Sequence, residues 1–176
     1  MVDMSIPNVL YRDGRGVADT RVRVDGPGLL SGYCVPLGVV RELSGAVNAP
    51  VFYNRHTDFQ TREVTPVLSR HKPPVVGMVR DFELHTVGLY CWIECPDPEL
   101  EAQAQAGALW LSAGANEHGN PVHGALMHVD LCQIAEVSLC SKSGYGQADR
   151  SLTVERWCET HDKPVLDWVE VRREQQ

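Results

Sequence analysis

Short runs rich in β-branched, aromatic and leucine side chains recur along the chain, at residues 30–40, 50–53, 64–68, 75–84 and 87–95, each bounded by glycine, proline or asparagine. Runs of this length and punctuation predict strands of a meander, barrel or curled sheet. Strand-like runs resume at 127–140, 152–157 and 165–171. One helix interrupts them. Asp97 supplies an N-cap, Pro98 the first helical position and Glu99 an acid in the first turn, ahead of an Ala/Gln-rich run to Leu109. That is about three turns at 3.6 residues each. It delivers the chain into Trp110-Leu111-Ser112-Ala113-Gly114, after which Gly119, Asn120, Pro121 and Gly124 predict a polar loop. Residues 1–28, rich in Asp, Arg, Gly and Pro with weak periodicity, predict a poorly ordered lead-in. Residues 29–176 then form one β-rich α+β domain with a few flanking helices and no internal repeat.

Composition narrows the function classes. The 176 residues are 43% apolar and 22% charged, enough to fill a core, which excludes a disordered chain. Sixteen Lys and Arg stand against 23 Asp and Glu, a net charge of −7 with no basic block. Such a surface lacks the electrostatic footprint of a nucleic-acid binder. No apolar run approaches the length needed to span a membrane, and the N-terminal residues do not read as a secretory signal, so the expectation is that the protein stays where it is made. Six cysteines allow 15 pairings but nothing argues for oxidation, and they read as reduced thiols.

Three local sequences offer the parts of a nucleophilic hydrolase. Ser112 is followed by Ala113-Gly114, small residues that let a substrate carbonyl approach backbone N–H donors. His71 ends Pro66-Val67-Leu68-Ser69-Arg70-His71, before Lys72-Pro73-Pro74, where a strand meets a turn. Glu136 interrupts the apolar run Ile134-Ala135-Glu136-Val137-Ser138-Leu139, where in a strand it shares a face with Ser138 and Cys140. A carboxylate there is either solvated or buried against a histidine or arginine. Trp110 stands where G-x-S-x-G needs its first glycine, so the nucleophile elbow of an α/β-hydrolase is disfavoured. A rival metal reading rests on Cys91 and Cys95 and on His118, His123 and His128. Two cysteines four apart in a strand lie roughly 13 Å apart, too far to share one zinc without a bend. Phosphate-binding glycine loops are absent.

The order of the blocks adds to this. Pro66-Val67-Leu68-Ser69-Arg70-His71, then Val75-Val76-Gly77, Gly88-Leu89-Tyr90, Ala106-Gly107-Ala108-Leu109-Trp110-Leu111-Ser112-Ala113-Gly114 and Glu136-Val137-Ser138-Leu139 succeed one another with compatible gaps. This succession resembles the capsid maturation (prohead) proteases of tailed bacteriophages, and more distantly the herpesvirus assemblins. The likeness covers roughly residues 30–141, with Ser31-Gly32-Tyr33 resembling the first core strand. It implies Ser112 as nucleophile, His71 as general base and Glu136 as the third member, where the assemblins have a histidine. His56, after Tyr53-Asn54-Arg55, competes with His71, whose distances to Gly77 and Gly88 fit the family better. The arginine pair that helps bind the oxyanion in assemblins has no counterpart; Gly144-Tyr145 occupies that stretch, leaving Lys142 or backbone donors.

The resemblance implies a serine endopeptidase needing no metal or cofactor. It would act in the host cytoplasm within the assembling procapsid, on the phage scaffold and the N-terminal region of the major capsid protein, with self-cleavage and homo-oligomerisation left open. The alternative from another class is a non-catalytic capsid-associated protein that keeps this fold as an assembly module.

Overall fold

The structure is a computed structural model describing residues 9–12, 15–41, 49–142 and 151–173. The strands are β1 (Val9–Arg12), β2 (Arg15–Ala18), β3 (Arg23–Gly26), β4 (Leu29–Pro36), β5 (Val51–Phe52), β6 (Asp58–Gln60), β7 (Thr65–Ser69), β8 (Lys72–Leu84), β9 (Gly88–Glu94), β10 (Trp110–His123) and β11 (Leu126–Cys140). The helices are α1 (Pro98–Gln105) and α2 (Val154–Thr160). β1 and β2 form a separate hairpin. The other nine strands make one sheet in the order β10-β11-β7-β8-β9-β4-β3, with β5 and β6 also laid on β11.

The described residues form a β-rich single domain with two helices among them, as the alternation of short apolar runs predicts. Among the described residues the sheet does not close into a barrel, which corrects that part of the expectation. The chain just ahead of β3 touches the start of β10 at an isolated bridge between Arg21 and Trp110, beside a hydrogen bond of 2.8 Å from Leu111 N–H to the Thr20 carbonyl.

β4 is buried along almost its whole length, which suits a strand covered on both faces. Leu30, Cys34 and Val35 join the main core, while Tyr33 packs with Tyr90 and with Ala18 of β2. Residues 1–28 therefore differ from the expected low-order lead-in over their described part. Val17, Ala18 and Val22 are buried, and β3 pairs with β4. Their apolar positions are too few and too short to show a period, yet each covers part of the sheet.

Four other expectations are corrected. The expected polar loop is the outer half of β10, which runs through Gly119 and Pro121 before the chain turns at 124–125. Proline is tolerated because β10 is an edge strand whose outward N–H has no ladder to join. The run at 152–157 is not a strand: Thr153 caps α2, its hydroxyl accepting from Arg156 N–H at 3.3 Å, and Val154, Trp157 and Cys158 bury one helical face. The run at 165–171 forms no strand; Asn54 Nδ2 ties it down by donating to the Trp168 and Val171 carbonyls at 2.7 and 2.6 Å. α1 spans eight residues, shorter than expected, because Gly107 at φ 71° ends it.

Candidate active site

β11 sets the site. One of its edges pairs antiparallel with β10, and the other carries β5, β6 and β7 in succession, all parallel. Near its C-terminal end β11 thus lies between β10 and β7. A one-residue irregularity falls at Ala135, where Gly114 stands opposite Glu136 and Ala115 opposite Ile134. The extra residue is a bulge and shifts the inward phase. Cys132 and Ile134 are buried before it, Val137 and Leu139 after it. Without that shift Glu136 would continue the inward series of Cys132 and Ile134. With it, Glu136 and Ser138 turn to the opposite face.

Ser112 stands opposite Ser138 in the β10–β11 ladder. Residues directly opposite in a sheet project to the same face, so Ser112, Gly114, Glu136 and Ser138 form one four-residue patch. Its other side is closed by the β7–β8 turn. Ser69 pairs with Lys72, leaving Arg70 and His71 as a two-residue connection at φ 53° and 60°. Side chains with a Cβ resist this left-handed region at about 1–2 kcal/mol each, and hairpin turns of this geometry usually use Asn and Gly. Two bonds from β11 hold the turn: Arg70 N–H donates to the Leu139 carbonyl at 3.1 Å, and His71 N–H to Ser138 Oγ at 2.9 Å.

The turn brings the His71 ring to Glu136. His71 Nδ1 hydrogen-bonds Glu136 Oε1, and Ser138 Oγ donates to Glu136 Oε2 at 2.7 Å. The Glu136 side chain is 15% exposed and that of His71 45%, so the carboxylate is the inner member and the imidazole the outer. An ionised carboxylate only accepts, which assigns the proton of the neutral ring to Nδ1 and leaves the Nε2 lone pair free. That tautomer can act as a base. Among the described residues no hydrogen bond joins His71 to the half-buried Ser112; such contacts are often loose before substrate binds.

Cys140 shares the face of Glu136 and Ser138. Burial, then the nearby Glu136 charge, push its thiol above the ordinary range, partly offset by Arg70. It is poorly suited to compete as a nucleophile.

The remaining candidates lie elsewhere. His56 sits 3.7 Å from Glu170 and its backbone N–H donates to Asn54 Oδ1 at 2.9 Å, so it meets neither Ser112 nor Glu136. Lys142 is exposed just beyond β11, and Gly144-Tyr145 lie outside the described residues. His118 is exposed, His123 Nε2 donates to the Pro164 carbonyl at 3.0 Å, and His128 is buried between Asp130 and Asn54. Among the described residues no three His, Cys, Asp or Glu side chains gather as a metal-ligand set. Ser138 is the residue whose role the sequence reading missed. Its alternation with Glu136 was visible, but not the turn it anchors. No family model, curated protein or solved structure matches the chain.

Proposed function

We propose that this domain is a serine endopeptidase of the capsid-maturation type, with Ser112 as nucleophile, His71 as general base and Glu136 orienting the base. The observation that carries the reading is the bond between His71 Nδ1 and Glu136, made beside a strand that presents Ser112 to the same face. Ser112 Oγ attacks the scissile carbonyl while its proton passes to His71 Nε2, and Glu136 stabilises the imidazolium. The proton then goes to the leaving amine, and water releases the acyl group by the same route. Backbone N–H groups around Ala113 and Gly114 stabilise the oxyanion. The substrates are the phage scaffold and the N-terminal region of the major capsid protein, cleaved inside the procapsid in the host cytoplasm. This part of the proposal rests on the family resemblance alone.

The protein is incubated with a peptide library prepared from the digested proteome of the expression host, and new N-termini are read by mass spectrometry. The expected result is a set of cleavages sharing a sequence preference and lost in both Ser112→Ala and His71→Ala. Cleavages that persist in Ser112→Ala would overturn the assignment. A second reading, a silent assembly module, is favoured by the missing Ser112–His71 hydrogen bond. It predicts no cleavage by the wild type, even when co-expressed with scaffold and capsid proteins.

A further inference from the structure

We infer that Gly114 and Ser138 are positioning residues that seat the two oxygens of the Glu136 carboxylate separately, and through it aim His71 at Ser112. The inference rests on the proposed triad for its catalytic consequence. Oε1 leans across the strand pair onto Gly114: a Cβ at that position would stand 2.2 Å from Oε1 and 2.7 Å from the carboxyl carbon. Both separations are far inside contact. The backbone of Gly114 is not in the left-handed region, and the three nearest atoms such a Cβ would meet all belong to the Glu136 side chain, so a methyl there would displace the carboxylate rather than the strand. The same Oε1 bonds His71 Nδ1. The imidazole is therefore held on an oxygen that already lies over β10, two residues along the same face from Ser112.

Oε2 has its own seat. Ser138 Oγ donates to it at 2.7 Å and accepts the His71 backbone N–H at 2.9 Å. One fully buried hydroxyl thus fixes both the carboxylate and the turn that carries its partner. If Oε1 were pushed off Gly114, the carboxylate could not keep both bonds, because the Cγ–Cδ torsion that moves one oxygen moves the other.

The test is a double-mutant cycle with a spectroscopic readout. Gly114→Ala and Ser138→Ala are made singly and again in a Glu136→Ala background. Two quantities are read: the rate of fluorophosphonate attachment to Ser112, and the protonation of the two His71 ring nitrogens by nitrogen-15 NMR. In the wild-type background each substitution should slow labelling at least tenfold and erase the Nδ1–H tautomer signal, with amide dispersion retained. In the Glu136→Ala background the added methyl should cost no further rate, and the lost hydroxyl should cost less than in the wild type, only what its bond to the His71 backbone contributes. Equal slowing in both backgrounds, or an unchanged His71 signal, overturns the inference. Should Gly114→Ala fail to fold, Ser138→Ala decides by the same readouts. A wild type that never labels would refute the catalytic reading, and the His71 signal would then judge the positioning alone.

Discussion

A carboxylate set into an apolar strand needs partners, and Glu136 has two, an imidazole N–H and a hydroxyl. Replacing it with glutamine keeps the shape but offers a donor as well as an acceptor, so the His71 tautomer is no longer fixed. Glu136→Gln should slow fluorophosphonate labelling about 10²–10⁴-fold, with the urea midpoint little moved. Labelling at the wild-type rate would remove Glu136 from the mechanism. Tyr33 reports on the other side of the sheet. Burial first, then the proximity of Tyr90, Glu83 and Tyr11, push its phenol up to about 12 from 10. Above pH 10 the unfolded chain loses this proton while the folded one keeps it. The stabilisation is therefore full below pH 10 and declines as pH rises from 10 to 12, by about 2–3 kcal/mol in all. Urea titrations between pH 9 and 11.5 should show a decline, and Tyr33→Phe should make it shallower, the raised Tyr90 phenol and Cys132 thiol supplying part of the rest.

Elements place these residues through two devices that leave little trace in sequence. The bulge at Ala135 redirects Glu136, and nothing in Ile134-Ala135-Glu136-Val137 announces it, because the phase of an alternating pattern can be counted from either end. The β7–β8 turn holds arginine and histidine where Asn-Gly would be expected. Its strain is offset by bonds from a strand more than sixty residues away. The strands at 64–68, 75–84 and 87–95 were legible because their apolar runs are cleanly punctuated. The outer half of β10 was not, since an edge strand tolerates the glycine and proline that usually mark a loop. The run at 152–157 reads as a strand because Thr153, Val154 and Trp157 favour β structure, whereas the spacing of Val154, Trp157 and Cys158 places them on one buried helical face. α1 was read from its cap. Asp97 accepts from the Glu99 and Leu100 N–H groups at 2.9 and 3.3 Å. Asp97→Ala should cost about 1 kcal/mol by urea denaturation while Ser112 labelling persists; unchanged stability would show that the cap contributes nothing.

The whole molecule is closed by its C-terminal segment. Trp168 packs over Gly38, where a Cβ would meet its ring at 2.5 Å, and its indole N–H donates to Glu155 Oε1 at 2.6 Å. Glu155 also takes Arg15 Nη1 at 2.8 Å, joining β2 to α2. Asn54 is fully buried beneath this segment, donating to two of its carbonyls and accepting from His128 Nε2 at 2.8 Å. Asn54→Ala strands those partners and should destabilise the fold by about 2–4 kcal/mol. The urea midpoint should fall and proteolysis should begin within residues 163–173; resistance of that segment would contradict its tethering role. None of this was legible, because Asn54 in Tyr53-Asn54-Arg55 looks like an ordinary turn residue. The candidate triad was more legible than its supports. Ser112, His71 and Glu136 each carry chemistry in their side chains, whereas Gly114 and Ser138 act only through distances that the fold creates.

The central claim is that Ser112 is activated by His71. It is tested most directly by mass analysis after treatment with a fluorophosphonate, which requires no natural substrate. One adduct is predicted, on Ser112, lost in His71→Ala and retained in His56→Ala. An adduct that survives His71→Ala, or wild-type protein that takes none, would contradict it.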